Sequence, residues 1–98
     1  MSLQVYRNQI DNIDNSIIEL LKRRLLVSGV IGKIKRKAND KSEDLDRQDE
    51  IIKRLKKKSK LKNIDIENIY SSIFEISKKY QNRKKLKRRN TISHIPSV

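Results

Sequence analysis

The chain has 98 residues, 25 Lys and Arg against 12 Asp and Glu, and no Cys. That length allows one domain, and the missing thiols exclude a disulfide framework, a thiolate metal site and a cysteine nucleophile. The formal charge of +13 favours anionic partners without naming them, and 35% hydrophobic residues make a thin core for a solitary protomer, so oligomerisation is expected.

The first segment, roughly Leu3 to Ala38, contains no Pro and places apolar residues at Leu3, Tyr6, Ile10, Ile13, Ile17, Leu20, Leu21, Val27, Ile31 and Ile34. Steps of three, four and seven match a helix and fail the alternation of a strand. Asn8, Asn12, Asn15, Glu19, Lys22 and Lys33 fall on the opposite face. The result is one helix about 50 Å long, whereas a globule of this size has a radius of gyration of about 13 Å. Two short helices from the same chain cannot easily cover such a stripe, so a second copy of the long helix is its natural partner.

Asn39-Asp40-Lys41-Ser42 is a polar break, and Ser42 or Asp44 is a candidate cap for a second helix over about Asp44 to Lys58. Leu45, Ile51, Ile52 and Leu55 form its expected inner face. Ser59 to Ile64 reads as a loop. Asp65 is the expected N-cap of a third helix carrying Ile66, Ile69, Tyr70, Ile73, Phe74, Ile76 and Tyr80 at helical spacing. From Asn82 a cationic run and an aperiodic end read as a basic tail over residues 82–98, expected to be disordered and separate from a folded domain over residues 1–81. With neither the apolar run of a signal peptide nor a transmembrane stretch, a soluble cytoplasmic protein is the expectation.

Charges and amides on inward faces carry more information than solvated ones. Arg24 interrupts the apolar ladder, and Lys35, eleven positions on, shares its face about 16 Å away. The two can grip both ends of a small anion over a floor of Ser28, Ile31 and Gly32, or they can snorkel to solvent. Ser77 and Gln81 stand one turn apart on the third helix; Gln81 can be a ligand group or a solvated helix end. The cluster Glu43-Asp44-Leu45-Asp46-Arg47-Gln48 can serve a ligand or merely offset the helix dipole. The single His94 lies in the tail, which leaves no Ser-His-Asp set and no His-based metal site, and with two Gly there is no phosphate loop. An enzyme built this way works without metal, cofactor or covalent intermediate.

Arg7, Arg23-Arg24, Gly32-Lys33-Ile34-Lys35, Asp44-Leu45-Asp46-Arg47-Gln48 and Ser77-Lys78-Lys79-Tyr80-Gln81, in this order, resemble the all-helical (type II) chorismate mutases, and the likeness spans about residues 3–81. The resemblance implies an all-α fold of one long and two shorter helices, intertwined as a homodimer. It also implies conversion of chorismate to prephenate, a cofactor-free [3,3] rearrangement in the shikimate pathway to phenylalanine and tyrosine. Arg7 of the partner, Arg24, Lys35 and Arg47 would then hold the two carboxylates with help from Ser77. Lys35 and Gln81 would donate to the breaking ether oxygen, with Arg24, Lys35 and Gln81 as the catalytic set. Gln48 and the backbone near Asp44 would meet the ring hydroxyl, although the family usually has Glu at the position of Gln48.

Helix geometry gives an independent reason for a shared site. Arg7 and Arg24 are about 25 Å apart along one helix, too far to serve one small ligand. An antiparallel partner crossing near Ile18 brings its own Arg7 opposite Gly29, between Arg24 and Lys35. Two other functions fit parts of the sequence: an isochorismate-pyruvate lyase on the same fold, and a non-enzymatic basic helical module for nucleic acid. Against the second stand the 4% aromatic content and the absence of a helix-turn-helix signature.

Overall fold

A long amphipathic helix, a sharp turn and two shorter helices account for the whole described chain. The structure, a computed structural model, describes residues 2–83. The basic tail expected over residues 82–98 lies outside them from residue 84 onward. Helix α1 spans Leu3–Lys37, α2 Leu45–Lys58 and α3 Asn63–Gln81, and the described residues contain no strand. The protein is all-α.

Local chemistry sets the helix ends. Ser2 is in the extended region and its side chain accepts from the Gln4 amide at 3.1 Å, which caps α1. At the other end Asn39 takes a left-handed conformation, φ 57°. Its amide donates to the Arg36 carbonyl at 3.1 Å, and the Asp40 amide to the Lys35 carbonyl at 2.8 Å. This double closure is the Schellman arrangement, and Asn is the residue after Gly that best tolerates it. The turn sends the chain back over the last turn of α1, towards Lys35.

Two expected caps are corrected. Asp44 stands at the N-cap of α2, but its side chain makes no capping bond and instead meets Lys35. Helix α3 begins two residues before Asp65, with Lys62 at the N-cap. The Lys62 backbone is extended and its carbonyl accepts from the Asp65 and Ile66 amides. Asp65 therefore lies inside the first turn, where its negative charge favours the helix dipole.

Helix α3 packs against both α1 and α2, which have no comparable contact with each other. Ile51 and Ile66 are the buried apolar side chains, and an ion pair between Lys56 and Glu67 ties α2 to α3. Leu45, expected to face inward, is exposed, as are Ile69 and half of the α1 stripe's surface: Leu3, Ile10, Ile13 and Leu20 are each more than 50% exposed. The described chain measures 56 × 38 × 15 Å with a radius of gyration of 16.9 Å. A shape little more than one helix deep cannot bury both sides of α1.

The closest approach of α1 to α3 depends on one residue. A Cβ on Gly32 would sit 2.1 Å from the Gln81 carbonyl oxygen and 2.6 Å from the Gln81 Cα, so the crossing requires glycine. Gly29, three residues earlier, faces open space in the protomer. Because backbone atoms cannot rotate away as a side chain can, Gly32→Ala is expected to cost about 1–3 kcal/mol of stability. Thermal unfolding followed by circular dichroism checks this, and a melting temperature equal to wild type would contradict the close crossing.

Candidate functional site

The crossing of α1 and α3 and the returning loop enclose a cleft of about 630 Å³. Helical period places Arg24, Ser28, Gly32 and Lys35 on the same wall of α1. The loop adds Asp40 to Asp44, α2 adds Arg47, Gln48 and Ile51, and α3 adds Phe74, Ser77, Lys78 and Gln81.

Arg24 does not snorkel. Its Nη1 donates to the Ser77 hydroxyl at 2.7 Å, and Ser77 is itself buried. The guanidinium lies 5.9 Å from the Tyr70 ring centre and 5.8 Å from that of Phe74, which meet edge to face. Electron-rich ring faces stabilise a cation where water is partly excluded. One serine and two rings thus fix the direction of this side chain, leaving its other donors for an anion.

Lys35 is held from the opposite side, its side chain only 16% exposed. Its ammonium donates to the Ser42 carbonyl and lies 3.4 Å from Asp44 Oδ2. Ser42 in turn is clasped by Asp40, whose Oδ1 accepts from the Ser42 hydroxyl at 2.6 Å and from the Ser42 amide at 2.9 Å. The hydroxyl bond first, then the amide bond, hold the Asp40 carboxyl below its ordinary range, with the Lys35 charge acting in the same direction. The loop is thereby tied to the end of α1 at two adjacent points.

Arg47 and Gln48 open α2 on the cleft's other wall. Arg47 pairs with Glu50 at 3.2 Å, but both side chains are more than 60% exposed, so the pairing is weak and the guanidinium is easily recruited elsewhere. Gln48 is half-buried. Lys78 reaches Glu43 across the loop at 3.2 Å. The cleft's lining holds six cations (Arg24, Lys35, Arg36, Lys41, Arg47, Lys78) and three carboxylates (Asp40, Glu43, Asp44), an excess of three positive charges. Small walls with surplus positive charge and three uncharged amides (Gln48, Gln81 and Asn82) suit a compact dianion carrying further oxygen atoms.

Of the residues singled out in the sequence, Arg24, Lys35, Asp44, Arg47, Gln48, Ser77 and Gln81 line this one cleft. Arg7 does not: it is exposed near the start of α1, remote from the cleft of its own chain. Sequence reasoning missed Arg36, which also lines the cleft and donates to the Gln81 carbonyl at 2.5 Å. Its signal was its position one turn after Gly32, masked by the basic run from Lys33 to Lys37. Among the described residues no three carboxylate, imidazole or thiol groups gather as a metal-ligating cluster, and no helix is long and apolar enough to cross a membrane.

The family described as chorismate mutase type II matches residues 6–82, which takes in nearly all of the three helices. A solved structure of a conserved hypothetical protein from Pyrococcus furiosus is 39% identical, covers 81% of this chain and 93% of its own, and superposes with a TM-score of 0.68. No curated protein matches the chain. With the family match spanning well over half of its length, the chain belongs to the chorismate mutase type II family.

Proposed function

We propose that the protein is an isomerase that converts chorismate to prephenate in phenylalanine and tyrosine biosynthesis, as a soluble cytoplasmic homodimer. The observation that carries this reading is the cleft itself, where Arg24 and Lys35 are fixed at two ends of one wall with Gln81 on the facing helix. Arg24, backed by Ser77, and Arg47 hold the substrate's carboxylates, joined by Arg7 of a second subunit. Lys35 and Gln81 donate to the ether oxygen as its bond to carbon breaks. Asp44 and Gln48 receive the ring hydroxyl; an amide at 48 can accept or donate a hydrogen bond, so hydroxyl binding does not require a carboxylate there.

The rearrangement is unimolecular: the ether C–O bond breaks as a C–C bond forms within one molecule, with no proton or electron exchanged. Catalysis then consists of holding the compact reactive conformer and stabilising negative charge on the ether oxygen. In the free protein the Lys35 ammonium rests on Asp44 and the Ser42 carbonyl. Those partners hold it at the wall of the cleft.

A dimer fits the exposed α1 stripe. Packing two long helices against each other covers apolar surface that α2 and α3 leave open, and it brings Arg7 to the neighbouring cleft.

Removing one preorganised donor to developing charge costs about 3 kcal/mol, a hundredfold or more in rate. Lys35→Ala and Gln81→Ala are each expected to lose at least that much turnover with the helical content retained. The assay follows loss of chorismate absorbance, with pyruvate release from isochorismate measured beside it. Wild-type rates in both variants would rule out this site, and pyruvate release without prephenate formation would identify a lyase instead.

Since Gln81 cannot titrate, the rate is expected to be flat through neutral pH. Asp40 has its folded-state pKa lowered, so the clasp on Ser42 contributes fully above the ordinary carboxylate range and is lost as pH falls through the lower folded value. Turnover should decline in that acidic window, and Asp40→Asn should show a shallower acidic decline. A steep gain in rate on acidification would instead indicate a carboxyl donor.

A further inference from the structure

The last carbonyls of a helix have no donor within the helix, and the final turn frays unless something outside holds it. Gln81 is the last residue of α3. Its carbonyl is taken by Arg36 Nη1 from α1, while its Cα and carbonyl carbon lie directly over Gly32. Gly32 and Arg36 are four residues apart, one turn of α1, so they clamp the Gln81 backbone from two adjacent points. A cation at a helix C-terminus is also favoured by the helix dipole.

We infer that Arg36 is a positioning residue for Gln81, setting the helix end from which the Gln81 amide is presented to the cleft. This role rests on the reading of Gln81 as donor to the breaking ether. Reacting groups must be held to within a fraction of an ångström, and a bond to the terminal carbonyl restrains the helix end that carries the Gln81 side chain. Arg36 is exposed, so it acts on one helix end and not through the core. Because it also lines the cleft, a direct contact with substrate is the alternative that the test must separate.

The test is a double-mutant cycle on the full chain, with chorismate as the probe. Arg36→Met keeps an apolar stem and removes the donor. Its kcat is expected to fall about tenfold to a hundredfold, the range that a small misplacement of a reacting group brings, with KM little changed. Arg36→Lys, which can still donate to the same carbonyl, should recover most of the loss. In a Gln81→Ala background, Arg36→Met should have almost no further effect, because the group it positions is gone. Circular dichroism checks that the variants fold; if the methionine variant does not, Arg36→Leu, which likewise lacks a donor, supplies the same comparison. Multiplying effects in the double variant, or a raised KM with unchanged kcat, would overturn the positioning role. Wild-type turnover by Gln81→Ala alone would overturn the reading of Gln81 as donor to the ether oxygen, and this inference with it, so the two failures are distinct.

Discussion

Like charges crowded into a small space repel, and the arrangement around this cleft depends on how that repulsion is offset. Six cations face three carboxylates. Most have a partner that is neutral or only weakly engaged: Arg24 has a serine hydroxyl and two ring faces, and Arg36 a helix-end carbonyl. Lys35 shares a carbonyl and a carboxylate, whereas Arg47 has an exposed glutamate. Neutral partners orient a charge without cancelling it. The cleft therefore keeps a surplus of positive charge that a dianion can relieve, with Arg24 and Lys35 held in place by their partners.

That arrangement in turn requires the close crossing of α1 and α3. Ser28 and Gly32 on one helix and Ser77 and Gln81 on the other are small or present only backbone at the contact. Without this approach Ser77 would not lie under Arg24, nor the Gln81 carbonyl within reach of Arg36. The Schellman turn at Asn39 supplies the third side by returning the loop over Lys35. A helix crossing, a turn and a loop clasp thus build the pocket from segments that are far apart in the chain.

Much of this architecture is legible from the residues in order, for a physical reason: helical period is a local property. The bounds of α1 and α2 fall within one residue of expectation, and Arg24 stands out because it breaks an apolar ladder. Side-chain signals failed where the backbone does the work. Helix α3 starts at a lysine whose carbonyl, not its side chain, organises the first turn. Arg36 is one base among several until its target, a main-chain oxygen forty-five positions away, is seen. The exposure of Leu45 and Ile69 shows that an apolar periodicity names a face without naming what covers it.

The proposed function requires an arginine from a second subunit to complete the site, which makes subunit mixing the most direct measurement. Arg7→Ala and Lys35→Ala are prepared separately, then unfolded and refolded together. In a mixed dimer with shared sites, one site carries both substitutions and the other neither. Random pairing of the two impaired variants should thus restore turnover to about a quarter of the wild-type value, the share of unaltered sites in a two-fold assembly. A mixture that forms mixed dimers yet stays as slow as its parents would contradict a cleft whose charges come from both chains.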